Sequence, residues 1–155
     1  MRISEFLVAD AICLNLQSTS KREVLSELLQ PLLAAGKLTD AKKMVDVLME
    51  REELGSTGIG GHIAIPHGKS PQVKELAAAL GISRAGVSFD ALDGEPVSLF
   101  IALVAPEGSA GLHLKALARI SSLLKDKAFK KSLLAAPDKE AVLQLIRGEE
   151  QQEGA

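Results

Sequence analysis

The stretch VSFDALDGEPVSLFIALVA, Val87–Ala105, decides the fold class. Its Asp93-Gly94 pair is the strongest short signal for a hairpin turn, because both residues tolerate the positive φ angles that such turns need. Apolar segments flank the pair, Val87 to Leu92 and Val97 to Ala105, so at least one antiparallel strand pair is predicted. Upstream, Leu76 to Ile82 reads as another strand. Ile63-Ala64-Ile65 reads as a short one that ends at Pro66, which has no N–H to give to a ladder. Helical patterns lie on both sides. Ser20-Lys21-Arg22-Glu23 has capping-box spacing and opens a helix with Val24, Leu25, Leu28 and Leu29 on its apolar face. Pro31 is expected to kink or divide that helix, and Gly36 to close the segment. Thr39 is expected to cap a second helix that buries Met44, Val45 and Leu48 and stops at Gly55. Further helices are predicted from about Leu112 to Lys125, from Phe129 to Ala135 and from Asp138 to Ile146. Helices alternating with strands, one pair of them antiparallel, give a single layered α/β (α+β) domain with a mixed parallel/antiparallel sheet flanked by helices. The domain is expected over residues 1–147, with 148–155 (GEEQQEGA) as a flexible, solvated C-terminal tail.

Composition narrows the function classes. The 155 residues suit one domain with a real core, and 46% hydrophobic with 25% charged residues is a globular balance. Aromatics make up 3%, with no Trp or Tyr, so a platform for stacking nucleic-acid bases has little to work with. A formal charge of −2 and the lack of any dominant Lys/Arg block argue against nucleic acid and anionic lipid as partners. The longest apolar run, Leu99 to Pro106, is too short to span a bilayer, and acids at Glu5 and Asp10 break up any signal-peptide core. Cys13 is the only cysteine, so no intrachain disulfide can form, and it reads as a buried free thiol. A cytoplasmic protein without membrane insertion is the expectation.

Chemistry centres on a glycine-rich stretch, Gly55-Ser56-Thr57-Gly58-Ile59-Gly60-Gly61, that runs through Ile63-Ala64-Ile65 into Pro66-His67-Gly68. His67 is expected just past the carboxyl end of a strand, where open sheets commonly bind ligands, and Gly68 would let a partner approach the imidazole. Taken alone, this is also the description of an exposed loop histidine. Three rival motifs fail. Gly68-Lys69-Ser70 lacks the earlier glycine of a P-loop, since that position is Ile63, and the dinucleotide pattern begun by Gly58 and Gly60 fails at the same residue. His62, His67 and His113 have no Cys or acid at a spacing that would complete a metal site.

These segments closely resemble the active-site signature of type-2 enzyme IIA domains of the bacterial phosphoenolpyruvate-dependent phosphotransferase system, in its mannitol, fructose and nitrogen-regulatory branches. The resemblance continues in order through Phe89-Asp90-Ala91-Leu92-Asp93, Pro96-Val97, Ala102-Leu103-Val104-Ala105-Pro106 and His113-Leu114. It implies a mixed sheet flanked by helices. It also implies that His67 carries phosphate on Nε2, that His113 is a second histidine orienting or stabilising the site, and that Arg51 helps neutralise the phosphoryl group. No cofactor is implied. Read by spacing alone, His113 ends a buried stripe with Leu117, Ile120 and Leu124, although a helix N-terminus also suits phosphate. Arg51, by spacing alone, is a solvated charge at a helix end. Ser56 and Thr57 offer hydroxyls to phosphate, and their glycine-rich surroundings can turn backbone N–H groups toward an anion. One position departs from the family pattern: His62 stands where glycine is usual, and it either bears backbone strain or points to solvent.

Neutral imidazole is a good nucleophile near pH 7 and a good leaving group once protonated, so transfer through His67 can run both ways. The resemblance therefore implies a carrier with a phosphohistidine intermediate rather than an independent metabolic enzyme. Its donor would be a small phosphocarrier protein. Its acceptors would be regulated target proteins, as in the nitrogen branch, or a sugar permease domain, as in the fructose and mannitol branches. A small-molecule binding module with no phosphorylation is the alternative from another class.

Overall fold

A computed structural model describes residues 2–153. After a 3-10 turn at Ile3–Glu5, the elements run β1 (Leu7–Cys13), α1 (Lys21–Ala34), α2 (Ala41–Glu53), β2 (Gly58–Gly60), β3 (Ile63–Ala64), β4 (His67–Lys69), β5 (Ala77–Val87), β6 (Val97–Ala105), α3 (Ala110–Leu124), α4 (Lys127–Leu134) and α5 (Lys139–Glu153). The strands form one mixed sheet in the order β1-β5-β6-β3-β2, with β4 also paired to β6. β5 and β6 are antiparallel, while β1 lies parallel to β5, and β3 and β4 lie parallel to β6. The mixed, helix-flanked sheet expected from the Asp93-Gly94 signal is the architecture found.

Side-chain alternation along the strands builds two cores. Ala64, Ala77, Ala79, Phe100, Ala102 and Val104 meet Leu25, Leu28, Leu29, Met44 and Leu48 of α1 and α2. On the other face Ile63, Ile65, Leu80, Ile82, Leu99, Ile101 and Leu103 meet Ile120, Leu124, Phe129, Leu133, Val142 and Ile146 of α3, α4 and α5. Both sides of the central strands are covered, so they read as continuous apolar runs rather than as an alternating pattern.

Local expectations fare unevenly. Ser20 caps α1 as its spacing predicts, accepting from the Glu23 amide at 3.3 Å. Pro31 does not divide that helix, which runs unbroken to Ala34. One missing amide bond near the last turn is outweighed by Leu28, Leu29 and Leu32, buried on either side of it. Gly36, at φ +75°, closes the segment, with Lys37 N donating to Leu32 O at 2.9 Å. The second helix is capped by Asp40 rather than Thr39: the Asp40 carboxylate accepts from Lys43 N, while Thr39 N donates to Gln72 Oε1. The hairpin is looser than expected. β5 ends at Val87, and residues 88–96 form an irregular connection in which Gly94 N donates back to Ala91 O.

Three strands had no counterpart in the sequence reading: β1, β4 and β2, the last formed by Gly58–Gly60 of the glycine-rich stretch. β1 occupies the edge beyond β5, and Cys13 at its end is only partly buried. β4 is the continuation of β3. Ile63 pairs with Leu99 and Ala64 with Phe100; after Pro66, His67 pairs with Leu103, Gly68 with Val104 and Lys69 with Ala105, at the same offset. Leu103 N donates to Pro66 O at 2.8 Å, so the ladder is bridged across the proline. His67 thus lies within the strand rather than just past its end. The expected tail is helical as far as Glu153, and Gly154 and Ala155 lie outside the described residues. Glu150 supplies the reason. Its carboxylate, 1% exposed, accepts from the backbone N–H groups of Ile3 and Ser4 and so fastens α5 to the N-terminal turn.

Candidate functional site

β2 covers β3 but does not reach β4, so the sheet edge is open at His67. The carboxyl end of α2 and the amino end of α3 bracket that opening. Between them lies a cleft of about 840 Å3 lined by Arg51 and Leu54, by His67 and Lys69, and by His113 and Leu114. The structure therefore brings together three of the five residues singled out in the sequence: His67, His113 and Arg51.

Gly68 is what lets α2 approach this edge. A Cβ on it would lie 2.8 Å from Val47 Cγ1 and 3.3 Å from Leu48 Cδ2. The expectation that Gly68 leaves the imidazole open to a partner is corrected here. The space it vacates is filled by α2, and the openness of the site comes from the uncovered strand edge.

The His67 ring is fixed by its own backbone. Nδ1 lies 2.8 Å from the Ile65 carbonyl, which can only accept, so Nδ1 carries the proton and Nε2 of the neutral ring keeps its lone pair. Burial lowers the pKa below the ordinary histidine value and the Arg51 charge adds to this, while the Ile65 bond and Glu52 pull the other way. The ring is accordingly a neutral base near pH 7. His113 meets it edge-on, with centroids 5.3 Å apart at 72°. His113 is 6% exposed, and its pKa is pushed down to about 4 by burial, by His67 and by Lys69. Its Nε2 is buried without a hydrogen-bond partner among the described residues. Such an orphan is costly unless a ligand satisfies it.

The first turn of α3 adds backbone donors. No side chain caps it, because the Ser109 hydroxyl turns back to Pro106 O, and Gly108 and Ala110 line the cleft. Free N–H groups at a helix start are a natural anion site. Arg51, in the last turn of α2, donates from one guanidinium nitrogen to Gly55 O at 2.8 Å.

Ser56 and Thr57 are not brought into this group. The Ser56 hydroxyl donates to Phe89 O at 2.8 Å and accepts from Gly58 N at 3.0 Å. Thr57, 4% exposed, gives both its amide and its hydroxyl to the Glu52 carboxylate. Neither lines the cleft, because the glycine-rich loop spends its hydroxyls on its own shape. Glu52, which the sequence reading missed, is the buried anchor of that loop and also pairs with Lys21 at 3.6 Å. Its position beside Arg51, facing the core side of an otherwise polar helix end, was the available signal.

Gly60 and Gly61 border a separate groove with Ile59, Ser121 and Lys130, rather than the His67 cleft. Ile63 is buried. The exposed apolar residues beside His67 are Leu54 and Leu114, 85% and 67% exposed, among carboxylates from Glu50, Glu53 and Glu107. His62 realises both alternatives at once. It holds φ at +66° and is solvent-exposed, with Nδ1 2.8 Å from the Pro96 carbonyl.

The candidate site thus combines a mixed sheet with an open edge, a tautomer-fixed histidine on that edge and a second histidine facing it from a helix start. The chain belongs to the family of the phosphoenolpyruvate-dependent sugar phosphotransferase system, EIIA 2, whose model matches residues 5–149. It is 37% identical to a nitrogen regulatory protein of Bradyrhizobium diazoefficiens, over 94% of this chain and 95% of that protein. It is 40% identical to the fructose-specific EIIABC component of Bacillus subtilis, again over 94% of this chain, but it spans only 23% of that relative's length. Among solved structures, nitrogen regulatory protein IIA-Ntr of Neisseria meningitidis superposes with a TM-score of 0.86 at 35% identity, covering 93% of this chain and 98% of that one. IIA mannitol of Escherichia coli shares the fold, with a TM-score of 0.77 at 22% identity. No helix among the described residues is long and apolar enough to cross a membrane.

Proposed function

We propose that this protein is a nitrogen-type enzyme IIA. In this reading it takes a phosphoryl group on Nε2 of His67 from a small phosphocarrier protein, and it binds target proteins differently with and without that group. The observation that carries the reading is the bond between Nδ1 of His67 and the Ile65 carbonyl, which leaves Nε2 as the basic atom of a neutral ring in the cleft. The Nε2 lone pair forms the N–P bond while the donor's bond to phosphorus breaks and its electron pair returns to the donor. Nδ1 keeps its proton throughout. When the phosphoryl group leaves again, His67 departs as neutral imidazole rather than as an anion, so transfer stays reversible. No cofactor takes part.

Phosphoryl transfer depends mainly on positioning and charge stabilisation. Arg51, the free amides of α3 and the unpartnered Nε2 of His113 are the groups available for it. A phosphoryl group adds roughly −1.5 to −2 of charge, by analogy with other phosphorylated side chains. It arrives on a surface where Leu54 and Leu114 stand exposed among Glu50, Glu53 and Glu107. A partner packed on the bare leucines would lose affinity, and one presenting Arg or Lys would gain it.

The nitrogen-type assignment is supported by the 37% identity to a nitrogen regulatory protein and by the TM-score of 0.86 to nitrogen regulatory protein IIA-Ntr. The fructose-specific relative supports a second reading, in which the acceptor is a sugar permease domain. Both are tested by incubating the pure protein with phosphoenolpyruvate, enzyme I and each candidate phosphocarrier, then following phosphate by mass spectrometry. Acid-labile, base-stable phosphate on His67 from a nitrogen-branch carrier is the expected result. Preferential loading by a sugar-branch carrier, with efficient onward transfer to a permease domain, would favour the second reading. No incorporation from any carrier would leave a binding module without phosphorylation.

A further inference from the structure

The cleft holds a second cation that the resemblance does not account for. β4 sets His67 and Lys69 on the same side of the strand, two residues apart, with Gly68 between them turned toward α2. Lys69 pairs through its backbone with Ala105, is exposed, and lines the cleft with His67 and His113. Among the described residues its ammonium takes part in no hydrogen bond or ion pair, although Glu50, Glu53 and Glu107 line the same cleft. Its charge nonetheless reaches the interior of the site, where it helps keep the His113 ring neutral.

We propose that Lys69 is a phosphoryl-binding catalytic residue, whose ammonium contacts the phosphate oxygens on His67 during transfer and in the phosphorylated state. The inference rests on the phosphohistidine reading above and deepens it. Charge balance is the argument. Without Lys69, the cleft would meet an incoming group of roughly −1.5 to −2 with one cation, Arg51, against three carboxylates. Arg51 is also partly committed, since one of its nitrogens holds Gly55 O. Lys69 is uncommitted, hangs from the same strand as the nucleophile, and has a flexible stem whose donors can follow the phosphoryl group from donor to His67. The two-residue step from His67 to Lys69 along β4 acts as a ruler. It fixes the root of the ammonium relative to the imidazole, and the stem supplies the reach.

The test compares wild type, Lys69→Gln and Lys69→Arg, after thermal melts confirm equal folding. Two quantities are read with the preferred phosphocarrier: the single-turnover rate of loading, and the equilibrium division of phosphate between carrier and His67. Lys69→Gln should slow loading by about tenfold, less than the ~10²–10³ of a fully enclosed donor, because this ammonium faces solvent. It should also shift the equilibrium several-fold toward the carrier, which a merely structural role would not do. Lys69→Arg should stay close to wild type in both. Unchanged rate and equilibrium in Lys69→Gln would overturn the proposal, and so would equal defects in Gln and Arg, which would mark a packing effect. A separate readout needs no phosphate: titrated by NMR, His113 should show a higher pKa in Lys69→Gln than in wild type. Failure of wild type to accept phosphate from any carrier would instead remove the reading on which this one stands, and that result is distinguishable because it requires no Lys69 variant.

Discussion

His62 stands at the start of the run of strand formed by β3 and β4, His67 lies within it, and their rings make the same bond. Each places Nδ1 2.8 Å from a backbone carbonyl, Pro96 in one case and Ile65 in the other. Each therefore presents Nε2 as the free ring atom. What differs is the surroundings. His62 is exposed at a left-handed corner, and the charged group beside it is Asp93, whose carboxyl it helps hold below the usual range after the Glu95 and Gly61 amides. His67 is half-buried at an uncovered strand edge, with Arg51 to one side and the His113 ring against it. The pair teaches that fixing a tautomer is cheap and common. What sets the second ring apart is the cations, helix amides and unpartnered nitrogen gathered around it, the groups on which the proposed anion selectivity rests.

The largest break in the comparison is removal of the acceptor. His67→Ala should abolish phosphate incorporation entirely, while His62→Ala should leave it intact, as read by intact mass after the donor reaction. Next come the surroundings: Arg51→Ala and His113→Ala should each slow single-turnover loading by about 10²–10³. His113→Ala needs a stability control first, because the residue is also part of the buried layer. Unaltered rates in both would reduce these side chains to structural roles and leave the two histidines distinguished by access alone.

Gly68→Ala addresses the packing that creates the difference. The added methyl meets Val47 Cγ1 at 2.8 Å, and a β-branched side chain has little freedom to yield. A destabilisation of about 1–3 kcal/mol is expected by denaturant titration, together with slower loading as α2 and Arg51 are pushed from the edge. Wild-type stability with this variant would mean that α2 is more loosely held than its contacts imply.

Acid sharpens the contrast further. The folded value of His113, about 4, lies below the ordinary 6.5, and that of His67 is also lowered. As pH falls through 6.5 the unfolded chain binds protons that the folded chain refuses, so this contribution to stability is complete above 6.5 and is lost progressively toward 4. The wild-type melting temperature should drop across that window more steeply than that of His113→Asn, and a parallel fall would contradict the assignment. The smallest effect is expected at the other corner. His62→Gly relieves a left-handed backbone worth ~1–2 kcal/mol but adds chain entropy of ~0.5–1 kcal/mol and loses the Pro96 bond. It should be neutral or mildly stabilising and should leave transfer unchanged; a severe loss of phosphorylation would place His62 in the site.

Much of this was legible in the residues because the signals were local. The cap at Ser20, the stop at Gly36 and the antiparallel pair around Asp93-Gly94 each depend on a few neighbouring residues, and each was found. β4 was not legible, since His-Gly-Lys has no strand signature, and the segment is extended only because β6 continues past Pro66 in unchanged register. β1 was hidden by Asp10 in its middle, which an edge strand tolerates. In the candidate site, His67, His113 and Arg51, to which the family pattern pointed, line one cleft, whereas Ser56 and Thr57 do not. A hydroxyl in a glycine-rich loop serves an anion or the loop itself equally well by sequence, and the deciding partner, Glu52, lies on the preceding helix.

The Glu150 clasp has a topological consequence. By holding the amides of Ile3 and Ser4, it brings the two ends of the domain to one corner, beside β1. That corner and the His67 edge are separated by β5 and β6, roughly 14 Å at the usual ~4.8 Å strand spacing. Polypeptide entering and leaving there would form a single stalk on the far side of the molecule, so the unit can be spliced into a larger chain without shadowing its cleft. The same geometry suits circular permutation: joining the ends and opening the chain within residues 88–96 should yield a protein that still folds.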